Sequence, residues 1–369
     1  MTPKDQARAI WQAGVDAVGG YSATDQALAN VRRPDRILAV GKAAATMAQA
    51  ALDRFPGTPC LVVTKDGHGS GLPDEVELIE AAHPVPDARS LAGGRALRLA
   101  VRAMTVDSAL LLLVSGGASS LAEDLVEGHD LDDLTALNTR LLAEGLDITT
   151  MNAERRKISH VKGGNLLAGF KGAQVDVLAI SDVPGDDLMV IGSGIGALPD
   201  RHDFKANARI IASNAHARTA AANKASELGL EVVANSEALH LDLPTLAAQV
   251  GAQLRDMPPG VAVLGGEPTV VLPENPGQGG RNQALALALA KEIAGEGDLI
   301  ILVGGTDGTD GPTDAAGGIV DGTTWSDAAE AHLKAADSGP YLARHDALLT
   351  TGPTGTNVMD LLIAIRATA

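Results

Sequence analysis

The run Leu299-Ile300-Ile301-Leu302-Val303 empties into Gly304-Gly305-Thr306-Asp307-Gly308-Thr309-Asp310-Gly311-Pro312-Thr313-Asp314 and then Gly317-Gly318. Five consecutive branched apolar residues, bounded by Asp298 and two glycines, read as a strand buried on both faces. Glycine and proline then punctuate the chain so densely that neither helix nor strand continues. The stretch is a loop at the carboxyl end of a buried strand, where open α/β sheets bind their ligands. Three carboxylates and three threonine hydroxyls fall within nine residues, a donor set suited to a hard cation bridging to phosphate. The same residues equally suit Asx and ST turns with no ion, and no Glu closes an EF-hand loop.

The same unit recurs upstream. Arg36-Ile37-Leu38-Ala39-Val40 is a short buried strand, Gly41-Lys42 turns, and an alanine-rich helix follows to Arg54. A strand, a glycine turn and a helix start make a natural anion site, with Lys42 at its mouth. It is not a Walker A loop, which needs an earlier glycine and a Ser or Thr after the lysine. Residues 61–63 run into Lys65-Asp66-Gly67-His68-Gly69, and residues 77–82 into His83-Pro84-Val85-Pro86-Asp87. Residues 110–114 run into Ser115-Gly116-Gly117-Ala118-Ser119-Ser120, whose amides and hydroxyls suit a phosphate. Residues 175–180 form a further strand ending in Ser181-Asp182-Val183-Pro184-Gly185-Asp186-Asp187. Residues 3–31 and 130–144 read as helices, and residues 209–212, 230–233, 261–264, 319–320 and 347–350 as strands.

Two groups of cations stand out on an acidic chain. Arg155, Arg156, Lys157, His160 and Lys162 crowd together before Gly163-Gly164-Asn165. A solvated helix face would explain part of that cluster. Arg281 opens a helix after Gly279-Gly280, where a positive charge opposes the helix macrodipole. That local misfit argues for a guanidinium clamp on an oxyanion or phosphate.

The whole chain sets further bounds. Its 369 residues suffice for two domains, and Pro258-Pro259-Gly260 is the expected boundary, giving 1–258 and 259–369. Aromatic residues are only 2%, so the core must be aliphatic, as in helix-covered parallel sheets. A net charge of −17 argues against nucleic acid and anionic membranes as partners, and an anionic small substrate then needs cations gathered locally. The single cysteine, Cys60, lies in an apolar run and reads as a buried, inert thiol. No signal peptide or membrane-length apolar run is visible, so the expected compartment is the cytoplasm.

Glycine loops, gathered cations and carboxylate loops together read as phosphoryl transfer. The chain resembles the class II glycerate 2-kinase family, whose members are also labelled hydroxypyruvate reductase and whose carboxyl-terminal part is the MOFRL domain. The resemblance covers nearly the whole chain. It rests on Gly41-Lys42-Ala43-Ala44, His83-Pro84-Val85-Pro86-Asp87, Ser115-Gly116-Gly117-Ala118-Ser119, Lys162-Gly163-Gly164, Ser181-Asp182-Val183-Pro184-Gly185-Asp186-Asp187, Gly265-Gly266-Glu267-Pro268-Thr269, Gly279-Gly280-Arg281-Asn282-Gln283 and the loop from Gly304 to Asp314. It implies an α/β chain of two domains, the larger Rossmann-like with three layers, the smaller an α/β MOFRL domain, with the active site in the cleft between them. It implies transfer of the ATP γ-phosphoryl to the 2-hydroxyl of D-glycerate with Mg2+, with Lys42 and Arg281 as the catalytic groups.

Under that resemblance Ser115, Gly116, Gly117, Ser119, Arg156, Lys162, Gly163 and Asn282 hold substrate or phosphate. Asp182, Asp186, Asp187, Glu267, Asp307 and Asp310 are the candidates for metal ligation or for orienting the attacking hydroxyl. The chain departs from the family pattern at Thr150, Lys157, Ile195 and Ala284. Kinase activity on a related small hydroxy acid, an NAD(P)H-dependent hydroxypyruvate reductase and a silent nucleotide-binding protein are the alternatives. The reductase lacks a convincing dinucleotide fingerprint in this sequence. A homo-oligomer is compatible with the sequence, which does not fix the oligomeric state.

Overall fold

The computed structural model describes residues 1–143 and 148–368, so Glu144, the expected end of one helix, lies outside the described residues. The chain divides into two compact units, Gly19–Ser213 and a second made of Met1–Val18 with Asn214–Ala369.

The unit Gly19–Ser213 is built on a six-stranded, wholly parallel sheet. Its strands are β1 (Arg36–Val40), β2 (Cys60–Lys65), β3 (Glu77–Ala81), β4 (Ala109–Val114), β5 (Gln174–Ile180) and β6 (Lys205–Ala212). Their order across the sheet is β3-β2-β1-β4-β5-β6, the Rossmann order, so the direction of winding switches between β1 and β4. Leu38, Val40, Leu61, Val63, Leu110, Leu112 and Val114 share one core with Leu97 and Val101 of the helix Ala88–Arg102. Alternate residues Ile37, Ala39, Val62, Leu111 and Leu113 are equally buried, so they face the opposite layer, where the helix Ala44–Arg54 packs on β1, β2 and β4. Coverage of both faces is why these strands read as unbroken apolar runs. Asp87, from the proline-rich turn after β3, caps the helix Ala88–Arg102 by accepting from the amides of Arg89 (2.9 Å) and Ser90 (3.2 Å).

The second unit carries a mixed sheet. Its strands are β7 (Val232–Glu237), β8 (Gly260–Gly266), β9 (Leu299–Gly305), β10 (Gly317–Asp321), β11 (Leu348–Leu349) and β12 (Asp360–Arg366), in the order β11-β10-β9-β12-β8-β7. β12 runs antiparallel between β8 and β9, a strand beyond those expected from the sequence. Leu264, Ile301, Val303, Leu362 and Ala364 share a core with Leu246 and Leu285, from the helices Leu243–Asp256 and Arg281–Glu292. The alternate residues face the helices Pro3–Ala17 and Asn214–Glu227, which pack on each other and on β8, β9 and β12. Trp11 seals that layer, donating its indole N–H to the carbonyl of Gly304 at 3.2 Å.

Two expectations change here. The expected helix over residues 3–31 breaks at Val18-Gly19 into Pro3–Ala17 and Gly20–Ala27, and the units part at that break. The expected boundary at Pro258 does not coincide with the compact units. β7, before it, pairs with β8, after it, so one sheet spans the proline pair. Among the described residues no helix is long and apolar enough to cross a membrane.

Candidate active site

In the unit Gly19–Ser213, the expected residues gather at the carboxyl ends of β1 and β4, where the winding reverses. The turn after β1 is clasped by backbone. The Lys42 amide donates to the carbonyl of Gly116 at 2.9 Å, and the Gly41 amide to that of Val63 at 3.1 Å. The Ser115 hydroxyl accepts from the Ala43 amide at 3.0 Å and is buried, so Ser115 closes the lysine turn rather than facing a ligand. Gly41 has φ +122°, and a β-carbon there would fall 2.2 Å from the Ser115 hydroxyl oxygen. Only glycine permits this approach.

The glycines after β4 bring other side chains close. A β-carbon on Gly116 would lie 2.0 Å from the Asp182 carboxylate; on Gly117 it would meet Lys42 Cγ at 3.1 Å and His83 Nε2 at 3.3 Å. Lys42, His83, Gly116, Gly117 and Asp182 therefore share one neighbourhood. Adjacent to it, Ser119 and Ser193 hydroxyls lie 2.7 Å apart, and Ser193 donates to Asn152 Oδ1 at 3.0 Å. The Gly163 amide donates to the Ser193 carbonyl at 2.9 Å, and the Arg156 side chain packs over Gly163, leaving no room for a β-carbon. Asp187 is exposed and caps a local turn through the Met189 amide at 2.8 Å.

Lys162 points elsewhere. Its ammonium lies 2.6 Å from Glu123, with side-chain exposures of 2% and 0%, and Glu123 also accepts from the Ser159 hydroxyl. A buried cation spent on a buried carboxylate is not presented to a phosphate. The backbone of Glu123 in turn lies so close to Gly94 that a β-carbon there would fall within 2.2 Å.

In the second unit the Asp-rich loop closes mainly on the protein itself. Asp310 is buried and accepts from the amides of Asn282 (3.0 Å) and Gln283 (2.8 Å), capping the helix Arg281–Glu292. These two amides at the start of the helix are therefore taken, and the macrodipole misfit of Arg281 is offset by this anion. Burial pushes the Asp310 carboxyl up to about 6 in spite of those two amides. Asp307 accepts from the amide (3.0 Å) and hydroxyl (3.1 Å) of Thr309, an Asx turn.

Arg281 is half-buried and held by two carboxylates. Its Nε and Nη2 donate to Asp360 at 2.8 and 3.4 Å, and its Nη1 donates to Glu267 at 2.5 Å. Asn282 donates from Nδ2 to Asp360 at 2.9 Å, which commits that side chain to the same anion. Burial alone would lower the Arg281 pKa, but Asp360 and Glu267 raise it, so the guanidinium stays charged. Asp360 opens β12 directly between Gly266 of β8 and Gly305 of β9. Asp360, Glu123 and Ser193 are functional neighbours that no sequence motif marked, and His83 joins the site from the proline-rich turn. A lone acid at the head of the apolar run 361–365 was the available signal for Asp360.

Among the described residues no group of three or more His, Cys, Asp or Glu side chains stands together as a metal site. An ion held largely by phosphate oxygens needs only one or two protein carboxylates. Asp182, lying against the Gly116 backbone, supplies such an oxygen donor beside Lys42, so the residues present fit Mg2+ in that form. Asp310, buried on its two amides, does not.

Two family models match the chain. One is described as a domain of unknown function (DUF4147), over residues 6–228, and the other as the MOFRL family, over residues 260–360. The chain belongs to this family of proteins that join a DUF4147 domain to a MOFRL domain. It is 36% identical to the glycerate 2-kinase of Pyrococcus horikoshii, over 89% of this chain and 86% of that one. It is 37% identical to the D-glycerate 2-kinase of Thermotoga maritima, over 90% of this chain and 91% of that one. The crystal structure of glycerate kinase from Thermotoga maritima superposes with a TM-score of 0.90 at 34% identity, covering 99% of both chains. The MOFRL match begins beside the proline pair, whereas compactness divides the chain at Ser213, because the MOFRL strands complete their sheet with β7.

Proposed function

We propose that the protein is a glycerate 2-kinase, transferring the γ-phosphoryl of ATP to the 2-hydroxyl of D-glycerate. The observation that carries this reading is the meeting of Lys42, the Gly116-Gly117 loop and Asp182 where the parallel sheet reverses. That meeting occurs in a chain similar along most of its length to glycerate 2-kinases. In the transfer, the 2-hydroxyl oxygen bonds to the γ-phosphorus and gives up its proton to solvent, while the bond to the β–γ bridging oxygen breaks and ADP leaves. Such a loose transition state asks mainly for positioning and charge neutralisation. The Lys42 ammonium neutralises charge on the transferring phosphoryl oxygens, and the Arg281 guanidinium offers an anion contact within its own unit. Gly116 and Gly117 let Asp182, Lys42 and His83 close on the loop backbone because no β-carbon stands in the way. Asp182 would hold Mg2+, which when bound neutralises charge on the β- and γ-phosphate oxygens. The cytoplasm, as a source of ATP, is the compartment that goes with this reading.

The test is a coupled assay of ADP formation with D-glycerate, ATP and Mg2+, with the product read by phosphorus NMR. The expected product carries the phosphoryl group on the 2-position. A 3-phosphorylated product, or no turnover with D-glycerate, overturns the reading. The Rossmann strand order also accommodates dinucleotides, but the turn after β1 has Gly41-Lys42 in place of the G-x-G-x-x-G fingerprint.

A further inference from the structure

The two carboxylates on Arg281 are not equivalent. Asp360 is 2% exposed, is fixed in the ladder of β12, and takes three donors from Arg281 and Asn282. Glu267 is 45% exposed, lies just past the end of β8, and takes only Nη1. Beyond it, residues 271–278 are all exposed, with Val271 and Leu272 bare to solvent. A buried carboxylate with three donors cannot leave without stranding its charge in a low dielectric. An exposed carboxylate on one nitrogen exchanges at little cost, because water solvates what it releases.

We propose that Asp360 is the positioning residue that fixes Arg281, and that Glu267 holds the place of an anionic ligand oxygen on Nη1. Phosphate or carboxylate oxygens of the ligand take over Nη1 as Glu267 swings out to solvent, while Asp360 keeps Nε and Nη2. The guanidinium thus remains paired in both states, and its direction is set before the ligand arrives. Glu267 then opposes binding rather than ligating metal. The proposal rests on the kinase reading only in taking the ligand as a phosphate-bearing anion.

The probe is inorganic phosphate, titrated into the full-length protein by calorimetry without Mg2+. Glu267→Gln removes the competing charge and should tighten phosphate binding about threefold to tenfold. Adding Arg281→Ala to Glu267→Gln should abolish that gain, which assigns it to this guanidinium. In an Asp360→Asn background, Glu267→Gln should bring no gain, a non-additivity that a general structural defect would not produce. Should Asp360→Asn fail to fold, the first two variants still decide. Unchanged or weaker phosphate binding in Glu267→Gln, or a gain that survives Arg281→Ala, overturns the proposal. A gain confined to Mg2+-free protein, with loss of Mg2+ affinity in Glu267→Gln, overturns it in favour of metal ligation. If the gain is found but D-glycerate is never phosphorylated, the kinase reading fails and the Glu267 assignment stands.

Discussion

Lys42 stands on a turn made of backbone, in which a Gly116 carbonyl, a Ser115 hydroxyl and two glycines set its place. Arg281 stands among carboxylates, with Asp360 buried beneath it and Glu267 at its outer edge. Both cations were expected to serve the same phosphoryl group, yet their surroundings serve different ends. A backbone turn places a lysine through geometry, by hydrogen bonds that do not involve its charge. A carboxylate cradle orients an arginine through charge, so the cation and the fold around it become interdependent.

The sharpest way to break that comparison is to remove each cation. Lys42→Ala and Arg281→Ala should each lower kcat by on the order of a hundredfold or more, as loss of charge stabilisation implies. Their stabilities should diverge. Arg281→Ala strands the buried Asp360 and should lose about 3–5 kcal/mol, more than Lys42→Ala, which keeps the backbone bonds of its turn. Equal unfolding midpoints in urea for the two variants would remove the distinction.

Lys162 offers a third cation to set beside them. Lys162→Met leaves Glu123 buried and unpaired, so it should cost about 3–5 kcal/mol in unfolding experiments. The KM values for ATP and D-glycerate in the folded variant should stay near those of the parent. A raised KM with unchanged stability would return Lys162 to the ligand.

The smallest effect concerns Asp310, whose carboxyl is pushed up by burial to about 6 from an ordinary 3.8. The native state therefore holds this proton more tightly than the unfolded chain. The stability it contributes is complete below the unfolded value and is lost as pH rises through about 6. Asp310→Asn should flatten that fall, and the stability difference between parent and variant should change by on the order of 2–3 kcal/mol across the window. Parallel profiles would mean that the buried carboxyl titrates normally.

Much of the fold was legible in sequence because it rests on local regularities. The apolar runs at Arg36–Val40, Ala109–Val114, Gln174–Ile180 and Leu299–Gly305 are strands, and glycine loops do follow them. Cys60 is buried with its thiol pushed up to about 12, as an inert residue in an apolar run should be. β12 was equally readable from Leu361-Leu362-Ile363-Ala364-Ile365 and was passed over, and its first residue proved to be the anchor of Arg281. The helix Pro3–Ala17 was readable as a helix, but not as a partner of β9, which Trp11 reaches across 293 positions.

By itself, the sequence determined where strands end in glycine turns and which chemistry-bearing side chains stand there. Only the tertiary structure decided which of those groups are already spent: Lys162 on Glu123, Asp310 on the amides of Asn282 and Gln283, Arg281 on Asp360. The reason is physical. Backbone period and turn chemistry act over a few residues and leave a pattern in the chain. The state of a charge depends on dielectric and on partners tens of residues away, and no local pattern records either.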